Sequence, residues 1–220
     1  IGDELDNIKS MLTPGRLSAP EEALAPLITA LLAFAGLIHE SMMRGSGWHF
    51  MEIGRRLERA VQIASSLRSL LTLELDDMEQ EALMESALLC GEVLIPYRRH
   101  YQCGINMENG LEMLLLNANN PRALIYQLEE LAVHFKHLPG NKDVLGEGDK
   151  YLLEANTALK LSDVKILAEG QVGVRQSLDQ ILARVQYLLG SAARAISQRY
   201  FDHADGPQLL VQHNQWQDPL

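Results

Sequence analysis

Apolar positions recur at three- and four-residue intervals along most of the chain. No run alternates apolar with polar residues or gathers β-branched side chains as a strand would. The pattern predicts an all-α protein, an antiparallel helical bundle of six or seven helices joined mostly by short turns. Asp3 to Met11 reads as the end of an upstream helix closed by Thr13-Pro14-Gly15. Ser18 and Glu21 have capping-box spacing, which starts a helix that bends at Pro26 and runs to about Met43. After the turn Gly45-Ser46-Gly47, a helix from Trp48 to about Leu71 carries an apolar stripe of Phe50, Ile53, Leu57, Val61, Ala64 and Leu71.

Asp76 and Asp77 place negative charge at the next N-terminus, where the helix dipole favours it; that helix is expected to continue toward Tyr101 with a kink at Pro96. A short segment from Asn109 to Leu116 precedes Asn119-Asn120-Pro121, read as an N-cap at Asn120 with proline in the first helical position. This helix stops at Leu138-Pro139-Gly140, and Gly140 to Gly148 reads as a connection. Two further helices, Asp149 to about Leu161 and Val172 to about Ala204, end at Gly206-Pro207. Residues 1–206 are therefore expected to form one domain, and 207–220 a polar tail.

Charge narrows the functional classes. A net charge of −10 argues against a general nucleic-acid or anionic-membrane binder. The two cysteines, Cys90 and Cys103, have neither zinc-site spacing nor the density of a disulfide scaffold, which fits a reducing cytoplasm. Ala23 to Ile38 carries no charge but is short for a spanning helix and contains Pro26 and Gly36, so a buried core helix is expected. The chain opens on Ile1, and reads as a piece of something longer.

Cations are unevenly distributed. Between Ser10 and Phe135 every one is arginine, at 16, 44, 55, 56, 59, 68, 98, 99 and 122. Arginine suits fixed two-pronged contacts to carboxylate or phosphate, whereas an ordinary solvated face uses lysine freely. On a helical wheel Glu58 falls beside the apolar stripe. Arg55 is spaced to pair with Glu58, Glu52 with Arg56, Gly54 leaves open space beside Leu57, and Arg59 points outward. Surface ion pairs of little energetic weight are the plain alternative. Gly45 and Gly47 form neither a dinucleotide-binding fingerprint nor a P-loop.

The segment "ESMMRGSGWHFMEIGRRLERA" resembles the bacterial alpha-E family, helical proteins of unknown function marked by a glutamate in a G-R-x-L-E-R-A motif, here Glu58. "YRRHY" (Tyr97 to Tyr101), "NNPRALIYQLEEL" (Asn119 to Leu131) and "AISQRYFDHAD" (Ala195 to Asp205) are similar to the family too, so the resemblance covers most of Leu24 to Leu210. Full-length members carry an earlier copy of the motif, which implies that this chain is the C-terminal part of such a domain. Its opening segment looks like versions fused behind a circularly permuted ATP-grasp region. The resemblance implies partnership with an ATP-grasp ligase domain, fused or separate, and additionally with a transglutaminase-like peptidase. ATP and magnesium would then belong to the ligase, and no cofactor to this domain.

Candidate ligand-binding residues are Arg44, Trp48, Arg55, Arg56, Arg59, Arg122 and Gln127, with Arg122 and Gln127 facing Arg55 and Glu58 across a groove. Gln127 also has a structural reading, satisfying a buried polar group. Tyr97, Arg98, Asn120, Tyr200 and His203 are candidates for a supporting network. No metal centre is expected, since no glutamate stands three residues before any histidine. Three functions remain: an auxiliary domain of an amide-bond-forming ATP-grasp system, an enzyme using Glu58 as general acid or base on peptide or acyl-phosphate substrates, and a helical oligomerisation module.

Overall fold

The computed structural model describes residues 20–140, 145–170 and 173–202. Among them are nine α-helices and one π-helical turn: α1 (Pro20–Ser41), α2 (Ser46–Leu71), α3 (Asp77–Cys90), α4 (Leu94–Tyr101), α5 (Met107–Leu111), the π-turn (Glu112–Leu116), α6 (Leu124–Phe135), α7 (Glu147–Lys160), α8 (Val164–Ala168) and α9 (Gln176–Tyr200). The all-α helical bundle read from the periodicity is correct. Contacts divide the chain into two units, Ile1–Trp48 and His49–Leu220. The capping box at Ser18, the upstream helix end, His203 and the tail lie outside the described residues.

In the first unit, α1 departs from the buried helix expected. Every described side chain from Leu24 to Ser41 is exposed or half-buried, including Leu32 and Leu37 at 68% and 65% exposure. The helix is apolar on all sides, so no polar face tells it which way to turn. By length and composition alone Leu24–Ser41 is also long and apolar enough to cross a membrane, with the polar His39, Glu40 and Ser41 adding length to the uncharged stretch.

The second unit holds the core. On α2 the buried apolar positions are Ile53, Ala60, Ala64, Leu67 and Leu71, whereas Phe50, Leu57 and Val61 are half-buried. The stripe read from the sequence merged two adjacent faces of one helix. One packs inward and the other faces an open groove.

Helix ends account for the count exceeding six or seven. Asp76 caps α3, accepting from the Glu79 amide at 2.8 Å, as its spacing predicts. That helix stops at Gly91 instead of reaching Tyr101. Glu92 takes a left-handed backbone (φ 56°), and the Val93 amide reaches back to the Leu88 carbonyl at 2.9 Å, closing the helix as a Schellman motif. Pro96 then falls in the first turn of α4, where a missing amide costs little and no kink is needed.

The π-turn ends where the Asn117 amide bonds the Glu112 carbonyl at 3.0 Å. α5 and α3 approach so closely at Gly110 that a Cβ there would stand 2.2 Å from the Met84 sulfur. Asn120 does not cap α6. Its amide donates to the Met113 carbonyl and its oxygen accepts from the Arg122 amide, both at 2.9 Å, and α6 begins two residues beyond the turn at Leu124. α7 packs against both α6 and α9. Residues 72–74 and 173–175 pair through the Leu73–Val174 bridge, the only β pairing among the described residues.

Candidate functional site

The polar centre forms where α2 meets α6, and its carboxylate is Glu52. That side chain is 3% exposed. Its Oε2 lies 2.6 Å from Arg55 Nη2, 3.4 Å from Arg56 Nε and 3.9 Å from His134 Nε2. Arg56 continues the network, with Nη2 2.9 Å from Glu130 Oε2 and Nη1 3.4 Å from Gln127 Oε1, and its guanidinium over the Tyr126 ring. Gln127 in turn donates to the Pro121 carbonyl. Spacing explains the assembly: Glu52, Arg55 and Arg56 are three and four apart on α2, and Gln127, Glu130 and His134 recur at three and four on α6.

A histidine cluster borders this centre. His49 and His134 meet through their Nδ1 atoms at 3.0 Å, so one ring nitrogen carries the proton that the other accepts. His137 stacks on His49 with centroids 4.5 Å apart. Burial is the largest cause of a lowered pKa at both His134 and His49. Arg56 and His49 add to it at His134, with the carboxylates of Glu52 and Glu130 opposing, and His137 adds to it at His49.

Glu58 stands elsewhere. It is exposed on the wall of an apolar groove between α2 and α9, with a volume of about 640 Å³. The groove runs past Gly54, where an added Cβ would meet nothing within 4 Å. Phe50 packs against Tyr200 and Phe201 at one end of the pair of helices, and Arg68 clasps Asp179 with two bonds at 2.6 and 3.2 Å toward the other. The expected Arg55–Glu58 pair does not form, because Glu52 lies one turn earlier, is buried, and takes Arg55. No ion pair or hydrogen bond reaches the Glu58 carboxylate from the described residues.

Arg59 faces a second cleft, of about 440 Å³, on another side of α2. Arg122 lines the same cleft and pairs with Glu92. Arg122 thus does not face Glu58, contrary to the grouping read from the sequence, while Gln127 meets Arg56 and not Arg55. In the first unit Arg44 lies over the Trp48 ring at 3.7 Å and donates to the His39 carbonyl at 2.5 Å.

The supporting candidates do not share one network. The Tyr97 hydroxyl donates to the Gly104 carbonyl and accepts from the Asn106 amide, both at 3.2 Å. Arg98 pairs with Glu85 at 2.7 Å, and the Tyr200 hydroxyl donates to the Pro139 carbonyl at 2.9 Å. Each ties down its own neighbourhood. Among the described residues no three His, Cys, Asp or Glu side chains converge as metal ligands would.

Sequence reasoning missed Arg175, the largest fully buried side chain. It donates to the carbonyls of Leu71, Leu73 and Ala168 at 3.1, 2.7 and 2.9 Å and to Gln80. Nothing in its local pattern marks it, since its acceptors are mostly backbone oxygens.

The comparisons with known proteins agree with this architecture. The profile of the Alpha-E family, described as a predicted alpha-helical domain with a conserved ER motif, matches residues 4–201. Glu58-Arg59 is the only Glu-Arg dipeptide in the sequence. Uncharacterized proteins of Mycobacterium bovis and Mycobacterium tuberculosis are each 31% identical over 176 residues. That match takes in 80% of this chain but 20% of each relative's length. No solved structure matches. The chain belongs to the Alpha-E family of helical domains.

Proposed function

We propose that this domain is a helical binding module, auxiliary to an ATP-grasp enzyme that forms amide bonds in the cytoplasm. It presents Glu58 and Arg59 to ligand or partner, and the Glu52 network sets the shape that displays them. The observation that carries this reading is a division of labour along α2. Glu52, Arg55 and Arg56 are engaged with protein groups, while neither Glu58 nor Arg59 has an ion-pair partner among the described residues. Side chains kept for the fold find partners within it; a paired motif left without them is available to something outside.

The ligase association draws on the likeness of the opening segment to ATP-grasp fusions and on the relatives, in which the matched region is 20% of a much longer chain. ATP and magnesium belong to the ligase in this scheme. Co-purification of the chain with an ATP-grasp protein identified by mass spectrometry, weakened in Glu58→Ala and Arg59→Ala, is the expected result. Turnover of a peptide or acyl phosphate by the purified chain alone, abolished in Glu58→Ala, contradicts it. That outcome would instead favour Glu58 as a general acid or base, a reading supported by its place on a groove wall.

A further inference from the structure

We infer that the Arg59–Arg122 cleft is a binding site for a carboxylate carried on an apolar body, such as an acyl amino acid or the C-terminus of a short peptide. The inference rests on the reading of the domain as a binding module and names the ligand class of its arginine side.

Two guanidiniums share the cleft, Arg59 from α2 and Arg122 from the turn before α6. The walls between them are mixed, with Ile63, Leu67, Leu70 and Leu114 supplying an apolar side and Gln62 and Ser66 a polar one. A ligand entering here buries a hydrocarbon body while its charged end meets the arginines. The volume of about 440 Å³ suits a small molecule or a terminal residue better than a folded surface.

Charge decides the sign and size of that end. Arg55, Arg56 and Arg122 each act on Arg59, and the carboxylates paired with those three are Glu52, Glu130 and Glu92. Of these four arginines, Arg59 alone makes no ion pair among the described residues, with Glu92, already paired to Arg122, acting on it from farther away. The Arg59 pKa is pushed below the usual arginine range, by burial first and then by Arg122, Arg55 and Arg56, with Glu92 opposing. One guanidinium left without an ion pair matches a monoanionic carboxylate, whereas phosphate brings about −1.5 to −2 near neutral pH. Arginine's planar fork is also the shape that binds carboxylate through two bonds.

Glu92 holds Arg122 from a left-handed backbone position that glycine ordinarily occupies. Glu92→Gly therefore relieves the backbone and releases a second guanidinium into the cleft.

Calorimetric titration of the full chain tests the proposal, with N-acetyl-leucine, N-acetyl-leucinamide and inorganic phosphate as probes. N-acetyl-leucine is expected to bind more tightly than either of the others. Arg59→Gln should weaken it by about tenfold or more, Glu92→Gly should tighten it, and Arg184→Gln, a matched charge change at the exposed Glu154 pair, should leave it unaltered. Failure of N-acetyl-leucine to bind, equal binding of the amide or of phosphate, or equal losses in Arg59→Gln and Arg184→Gln would each overturn it. Such a result would leave the co-purification with a ligase, and the auxiliary reading tested by it, untouched.

Discussion

Glu52 and Glu58 are six residues apart on one helix, and their fates differ because of what stands opposite each. Their spacing to arginines is nearly interchangeable in the sequence, since Arg55 lies three residues from both. Position relative to α6 decides between them: Glu52 lies within reach of His134 and shares Arg56 with Gln127 and Glu130, and desolvation there makes each remaining bond matter more. The Glu52–Arg56 pairing was legible because it is local. The partners across 71 to 85 residues were not, because helix periodicity fixes which residues share a face but not which face meets it. The neighbouring histidines give a pH dependence. His134 and His49 have folded-state pKa values below the ordinary 6.5, so the folded protein binds fewer protons than the unfolded chain. Stability is whole above about 6.5 and falls as pH drops through the folded-state values. The titratable and charged groups facing them are Glu52, Arg56, Glu130 and His137. In urea unfolding, the loss between about pH 7.5 and pH 5.5 should shrink in His49→Gln/His134→Gln; an unchanged loss would remove the histidines from the account.

At the scale of elements, the side-chain cap at Asp76 was legible, whereas Asn120 spends its side chain on a turn before α6 and the break after α3 is made by backbone. Asp76 caps α3 as its spacing predicts, but the break at Glu92 uses a left-handed residue that carries no glycine signal. Arg175 extends the point. Its guanidinium fork gathers carbonyls at the C-terminal end of α2, just beyond it and at the end of α8, and the surrounding backbone pairs Arg175 N with Thr72 O at 2.7 Å. Burial lowers its pKa, opposed by the nearby Glu74 carboxylate. Several bonds to fixed oxygens need a rigid planar donor, so lysine is no substitute. Arg175→Lys is expected to cost about 2 to 3 kcal/mol in chemical denaturation, through carbonyls left without donors. A change within about 0.5 kcal/mol would show that water replaces the fork and that the junction is not held by this residue.

For the whole molecule, the all-α class was visible in the periodicity, and the family in four ordered motifs. What could not be read was that α2 has three uses, one face sunk in the core, one lining the groove with Glu58 and one lining the cleft with Arg59. A single helix surrounded on several sides averages these faces into one broad amphipathic pattern. The functional reading depends on that separation, with a buried ion-pair centre serving the fold and an exposed dipeptide left over for binding. Equilibrium unfolding in urea of Glu52→Gln beside Glu58→Gln tests it most directly. Removing the buried charge leaves Arg56 short of a partner and should cost about 3 kcal/mol or more, while the exposed substitution should stay within about 0.5 kcal/mol. Equal losses, or a larger loss at Glu58, would contradict the assignment of the structural centre to Glu52.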